Sequence, residues 1–591
     1  MGAVSLDQET MKSCEPKGIA EMQEAHFKTW ALAVLLLAAS LFFLRLGDRS
    51  LWGSEGRWSE VTREMRLTQN YFWPTINGRV YYDKPLLSYW LIATAARLTG
   101  DIDELASRLP SAFAGLLGIA LLMALTRQLY DGRTAIFAGC ILATCYSYVF
   151  WSRTASADVE TVTGVLAALT LYFRNRERCH KWWIVGLWLI MAVTSLTKGL
   201  QGFALPLLVI GVYSLIAQGW RNLAEKLLHG SLKDRVAWFV TQNEWFFNRK
   251  TLLATMIAGL IYASTFAASL IVTSSNLGLF MVLRENVLRF VEPFDHKGPI
   301  YLYTYSIFVL MAPWCLLLPA AMVHAHSNPA EKSDRFVLAY FWTTFIFFTL
   351  SGSRRDYYLL PILPAAAIVV ARLFASTRVT WNRWVRWLVQ GGYVLIALIV
   401  LLMLVATGIT AFLPSLRPGA VNDLPALVEQ SVWFGFWVFL AMLIALVPLS
   451  WHLLPRRLAF SMFFAAYSFM LFIFIYVLPT NEPLRGEKAF AQTVRATLDG
   501  HLDKLVLYKT RGATLVYYLG AEKPIPEFFD SDDLASHIDN NTDVWIVADE
   551  SDPPSLPFPI STTTRSADYR WAKSGFVGEY VLLHVDKRRA K

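Results

Sequence analysis

Apolar runs dominate this chain, and they leave it few ways to fold. Runs long enough to cross a bilayer, or nearly so, fall at roughly 29–46, 108–127, 134–150, 157–173, 182–197, 200–218, 251–273, 299–324, 335–350, 357–374, 388–413, 432–450 and 457–478. Each approaches the ~17–25 residues with which an α-helix spans the hydrocarbon core. The chain is 55% hydrophobic and only 17% charged, where soluble domains sit near one quarter charged. The expected fold is an α-helical polytopic membrane protein with about 13 transmembrane helices. Residues 1–28 contain several acids and no apolar core, so no cleavable signal peptide is expected. The first run reads as a retained helix.

The basic loops orient the chain. With residue 1 in the cytoplasm, the loops at 128–133, 174–181, 219–250, 325–334, 375–387 and 451–457 fall inside, and most are rich in Arg and Lys. That matches the positive-inside rule. The short apolar stretch Leu86 to Leu98, opened by Lys84-Pro85, is expected to lie along the membrane surface. Counting it as a span would put the basic loops outside.

This orientation gathers the chemistry on one face. Glu55 to Lys84, Asp158, Lys198, Arg284 to His296 and Arg354 to Tyr358 all fall outside. The richest stretch runs from Trp52 to Trp90, where charged residues and aromatics alternate. It reads as an amphipathic helix, a turn at Ile76-Asn77-Gly78 and a second amphipathic helix starting near Pro85. Such a segment builds a polar cavity at a membrane surface.

From about residue 480 the pattern changes. Helical stretches (488–500, 531–539) alternate with strand-like runs at Lys504–Tyr508, Asp543–Val547 and Glu579–His584, a small α/β domain. The expected domains are a cytoplasmic tail 1–28, a transmembrane domain 29–479 with an external juxtamembrane segment 47–107, and a periplasmic α/β domain 480–591. No glycine-rich phosphate loop is present, so neither nucleotide nor nucleic-acid binding is expected. Cys14, Cys140, Cys145, Cys179 and Cys315 have no metal-ligand spacing.

Several residues admit two readings. Glu55, followed by Arg57, is either a carboxylate held ready by backbone and Arg57 or half of an interfacial salt bridge. Asp83 and Lys84 precede a proline that opens a helix, where a lysine can hold a phosphate or merely snorkel. Asp158 is a cavity acid or a helix-start acid. Lys198, Arg284, Arg289, His296, Lys297, Arg354 and Arg355 place positive charge on the side that normally lacks it. An anion accounts for them, and a lipid phosphate is the cheapest.

Together these segments resemble the bacterial GT-C glycosyltransferases that use a polyprenyl-phosphate sugar donor, the group of aminoarabinose transferases acting on lipid A and the related protein O-mannosyltransferases. The resemblance rests on SEGRW…REM…P…NG…YYDKPLLSYW, Asp158, SLTKGLQGFALP, ENVLRF…H, YYLLP and the α/β tail. Where the family usually has Asp-Glu-x-Arg-Tyr, this chain has Ser54-Glu55-Gly56-Arg57-Trp58, so a serine replaces the first acid. The resemblance implies that Lys84, Arg289 and Tyr358 contact the carrier phosphate, and that Asp158 is a carboxylate at the cavity. It implies no certain cofactor. A divalent metal near Asp83 stays open, although Asn286 stands where the family pattern has histidine.

The expected activity is inverting transfer of a sugar from a polyprenyl phosphate, undecaprenyl phosphate in a bacterial inner membrane, to lipid A or another envelope acceptor. The active site is expected to face the periplasm. Glu55 and Asp158 are the candidate catalytic acids. Arg57, Asp83, Lys84, Lys198, Arg289, His296 and Tyr358 are the candidate substrate-binding residues. The alternatives are a transporter or flippase of a lipid-linked sugar, a protein O-glycosyltransferase, and a non-catalytic lipid-binding protein.

Overall fold

The computed structural model describes residues 17–176, 182–217, 225, 231–292, 296–327, 332–375, 381–413, 425–446, 455–482, 487–510, 512–541, 543–558, 560–566 and 580–586. The expected tail up to residue 16 and parts of loops 174–181, 219–250, 325–334, 375–387 and 451–457 lie outside the described residues.

Each of the expected apolar runs falls on a helix or a bent helix pair. Among the described residues seven helices are long and apolar enough to cross a membrane: Glu24–Phe43, Glu104–Leu129, Arg249–Thr273, Asp356–Ala375, Arg383–Phe412, Ala426–Leu446 and Arg457–Thr480. Two broken pairs bring the number to nine, Gly132–Ala143 with Tyr146–Ser152 (67°) and Leu302–Leu310 with Trp314–Ser327 (117°). The second break contains Pro313, which cannot donate to the helical ladder. The two breaks meet, since Tyr146 N–H donates to the Ala312 carbonyl at 2.9 Å. Trp183–Lys198 and Gln201–Ile216 are apolar but shorter. Asp158–Asn175 and Lys332–Leu350 cover the remaining expected runs.

The segment between the first two long helices has the expected helix, turn and helix, with a short hairpin at the turn that the pattern did not predict. Helix Glu55–Thr68 is followed by hairpin strands β1 (Thr75–Ile76) and β2 (Arg79–Val80), then by helix Leu87–Thr99. Asn77 and Gly78 both take positive φ (51° and 73°), the backbone a two-residue hairpin turn requires. Trp58, Met65, Leu86, Tyr89 and Ile92 form the core between the two helices. Helix Leu87–Thr99 has 13 residues, too few to span.

The C-terminal region is a five-stranded sheet made of β3 (Leu505–Tyr508), β4 (Glu527–Phe528), β5 (Asp543–Asp549), β6 (Ser561–Arg565) and β7 (Tyr580–Asp586), in the order β4-β3-β5-β7-β6. β3 runs parallel to β4 and β5, while β7 is antiparallel to β5 and β6. Strand period divides its residues between two cores. Leu505 and Leu507 pack against helices Glu487–Thr497 and Ala513–Leu519, and Val506 and Tyr508 against helix Ser531–Asp539.

The sheet region clasps the 47–107 segment. A Cβ on Gly56 would lie 2.4 Å from Thr514 Cα, so only glycine admits helix Ala513–Leu519 there. Asn77 exchanges hydrogen bonds with Ile525 in both directions (2.8 and 2.7 Å), and Arg79 pairs with Glu527. The hairpin turn is thereby tied to the sheet region.

Candidate functional site

A cavity of about 290 Å³ opens where several element ends converge. Asp83 and Lys84 reach it from the turn before helix Leu87–Thr99. Lys198 is the last residue of helix Trp183–Lys198, where a cation complements the helix dipole. Glu285 and Asn286 come from the π-helical turn Arg284–Leu288, and Arg289 follows it. Tyr358 comes from the 3₁₀ turn Asp356–Ile362. Aromatic Phe290, Phe347 and Phe348 close the apolar side.

The cavity's cations rest on acids. Glu285 accepts from both Lys84 Nζ (3.4 Å) and Arg289, and Lys198 pairs with Asp158. Lys198 Nζ also lies 4.9 Å from the centre of the Tyr358 ring, in cation–π range. Burial pulls the Lys84 ammonium down to about 8, with Glu285 opposing the shift and Arg289 adding to it. Ser353 lines the same cavity, and its buried Oγ has no partner among the described residues. The arrangement offers three cationic groups and two hydroxyls to one anion, with an apolar wall beside them.

Five of the nine expected site residues thus line one cavity: Asp83, Lys84, Lys198, Arg289 and Tyr358. Asp158 stands behind Lys198. Arg57 donates to Tyr81 Oη at 2.9 Å, and burial raises that tyrosine to about 12 despite the guanidinium. His296 lies away from the cavity lining, with its Nδ1 2.9 Å from Arg355 Nη2.

Glu55 is a correction. It is not paired with Arg57, and it does not line the cavity. Its carboxylate takes two charge-assisted hydrogen bonds from Arg108 (2.8 and 2.7 Å), one from Ala155 N–H (2.8 Å) and one from Trp52 N–H (3.0 Å). Glu55 starts its helix, and the next residue but one turns away toward Tyr81, so Arg57 cannot share its partner. Burial opposes the Glu55 charge, but Arg108 and the Ala155 amide outweigh it and hold the carboxyl below the usual range. Arg108 also donates to the carbonyls of Leu46, Arg49 and Ser50. Sequence reasoning passed over Arg108, although an arginine inside a membrane-length helix must find a partner.

Asp83 and Glu285 are the carboxylates that line the cavity. No group of three His, Cys, Asp or Glu that could hold an ion occurs among the described residues. Asn286, beside the two carboxylates, has both side-chain polar atoms engaged by backbone.

Comparisons with known proteins bear on the fold and the class. Residues 83–245 match the family model for dolichyl-phosphate-mannose-protein mannosyltransferase. The chain is 27% identical over 439 residues to undecaprenyl phosphate-alpha-4-amino-4-deoxy-L-arabinose arabinosyl transferase 1 of Pseudomonas fluorescens, covering 72% of this chain and 73% of that protein. It is likewise 27% identical over 353 residues to the corresponding transferase of Pseudomonas aeruginosa, covering 58% and 59%. The crystal structure of ArnT from Cupriavidus metallidurans bound to undecaprenyl phosphate superposes with a TM-score of 0.70 at 19% identity, over 94% of this chain and 98% of that one. That likeness establishes the fold. The chain is a membrane glycosyltransferase of the GT-C fold. Within that class it is similar to the aminoarabinose transferases.

Proposed function

We propose that this enzyme moves a sugar from undecaprenyl phosphate to lipid A or another lipopolysaccharide component at the periplasmic face of the bacterial inner membrane, with inversion. The observation that carries the reading is the convergence of Lys84, Lys198, Arg289 and Tyr358 on one cavity with an aromatic wall. The relatives named for an undecaprenyl-phosphate donor support it, as does the basic character of the alternate loops. The C-terminal sheet region, residues 480–591, stands on the periplasmic side in this reading.

The acceptor oxygen attacks the anomeric carbon, and the bond to the carrier phosphate oxygen breaks with its electron pair staying on the phosphate. Positive charge develops on the sugar ring and negative charge on the leaving phosphate. Lys84, Lys198 and Arg289 face that developing charge, and preorganised cations in a water-poor site stabilise it strongly. Tyr358 and Ser353 add hydroxyl donors. If the acceptor is a hydroxyl, its proton passes to a carboxylate, and Asp158 is the assigned base. A phosphate acceptor carries no such proton, and Asp158 then only orients Lys198. Glu55 is assigned to holding the fold of the site, because its oxygens are all engaged. A protein hydroxyl is the second acceptor reading, favoured by the mannosyltransferase family model.

The test uses the full chain in liposomes with a radiolabelled undecaprenyl-phosphate-linked sugar and lipid A. Label should move to lipid A, with release of undecaprenyl phosphate. Label that crosses the bilayer still on its carrier would establish a flippase instead, and label found on co-reconstituted protein would shift the acceptor.

A further inference from the structure

The cavity's most distinctive polar residue is Asn286. Its Oδ1 accepts a hydrogen bond from Leu200 N–H at 2.7 Å, and its Nδ2 donates to the Val282 carbonyl at 2.8 Å. The first bond crosses from the π-helical turn Arg284–Leu288 to the short turn between helices Trp183–Lys198 and Gln201–Ile216. That turn is built to receive it. Gly199 sits at φ +104°, and a Cβ there would lie 2.2 Å from Asn286 Oδ1. Only glycine allows both the backbone conformation and the approach.

Each side of this bond carries cavity cations. Lys198 immediately precedes Gly199, while Glu285 and Arg289 flank Asn286. The π-helical turn is a geometry found frequently at functional positions. Helix Trp183–Lys198 and the 284–289 turn are otherwise separate elements, 86 residues apart at the bonded pair.

We infer that Asn286 is a positioning residue of the donor-phosphate site, a hydrogen-bonded clamp that sets Lys198 against Glu285 and Arg289. This rests on the donor proposed above. The clamp takes the amide of Leu200, the first free amide after the helix C-terminus, and so fixes where the Lys198 side chain starts. Asparagine suits the task because it accepts on one side and donates on the other while carrying no charge beside the phosphate.

Two readouts test it with the full chain in nanodiscs. Hydrogen exchange without ligand reads the clamp alone. Asn286→Ala should speed exchange at Leu200 and leave the helix interiors unchanged, whereas Asn286→Asp keeps the acceptor oxygen and should keep Leu200 protected. Equal exchange in wild type and Asn286→Ala, or lost protection in Asn286→Asp, overturns the clamp. Binding of undecaprenyl phosphate reads its consequence. Asn286→Ala should weaken binding ~10-fold, the scale of one orphaned buried donor. Lys198→Ala should cost much less in the Asn286→Ala background than in wild type. Fully additive losses overturn the positioning role. If wild type binds no undecaprenyl phosphate while exchange still responds to Asn286→Ala, the donor reading fails and the positioning inference fails with it, leaving a structural clamp.

Discussion

Two charge clusters lie on the 47–107 segment and its neighbours, and they differ in kind. In the first, Glu55 and Arg108 are both almost fully buried, and the carboxylate is saturated by four hydrogen bonds. In the second, Lys84 and Arg289 both reach Glu285 at the edge of a cavity, and Lys84 Nζ also donates to the Asp83 carbonyl at 2.9 Å. The first is closed. It ties the turn before helix Glu55–Thr68 to helix Glu104–Leu129 and to the Ala155 amide, three residues before Asp158. The second lines a cavity of about 290 Å³. Charges of the same types, about thirty residues apart in sequence, are therefore held differently: one pair is enclosed by backbone, and the other borders the cavity that we propose takes the donor phosphate.

The sharpest way to break this contrast is through Arg108. Arg108→Ala leaves Glu55 charged and buried, and removing one partner of a buried pair costs roughly 3–5 kcal/mol. The expected outcome is loss of most folded protein, read as the yield of monodisperse material and a lowered Tm in detergent. A well-folded Arg108→Ala protein would show that the pair is dispensable.

The open cluster should behave in reverse. Lys84→Ala and Arg289→Ala are expected to reduce turnover by about 10²-fold or more, the usual cost of losing one electrostatic stabiliser. Their Tm should change little, because both groups border a cavity. Loss of fold without a specific loss of turnover would merge the two clusters into one structural network.

A smaller effect separates the clusters by pH. The folded Lys84 loses its proton near pH 8, below the ordinary lysine range, because burial penalises the ammonium. Its positive charge is present below that pH and fades above it. kcat/KM should therefore fall as pH rises through about 8, since it reports the free enzyme. Lys84→Arg should remove that alkaline limb, because arginine keeps its charge. A limb that persists in Lys84→Arg would assign it to another group.

The same contrast marks how far sequence reading reached. Apolar runs located the helices because burial in lipid is imposed on every residue of a span. Asn77-Gly78 announced the turn because few other pairs accept two positive φ values, but the two-residue strands β1 and β2 beside it were not foreseen. Lys198 and Arg289 were legible as cations on the side where they are scarce, Lys84 as a lysine before a helix-opening proline, and Tyr358 only through the family resemblance. The partners of those charges were not legible. Glu55 looked like the partner of Arg57, two residues away, yet it reaches Arg108, 53 residues away. Pairing across helices depends on how the helices pack, and local spacing does not encode that. Strands β4 and β6 also escaped notice. β4 has only two residues, and β6 (Ser-Thr-Thr-Thr-Arg) lacks the apolar alternation that marks a strand. Asn286 was visible only as a missing histidine, and its bond to Leu200 emerged from the fold.

The most direct test of the whole account is donor cleavage per folded molecule in three proteins. Wild type, Glu55→Gln and Lys84→Ala would be purified to matched monodispersity, mixed with undecaprenyl-phosphate-linked sugar and acceptor, and quenched for released undecaprenyl phosphate. The account predicts that Glu55→Gln yields little folded protein, but that the folded fraction cleaves donor within several-fold of wild type. It predicts that Lys84→Ala folds normally and cleaves at least ~10²-fold more slowly. A well-folded Glu55→Gln that cannot cleave, beside a Lys84→Ala that cleaves at the wild-type rate, would contradict it and return Glu55 to the chemistry.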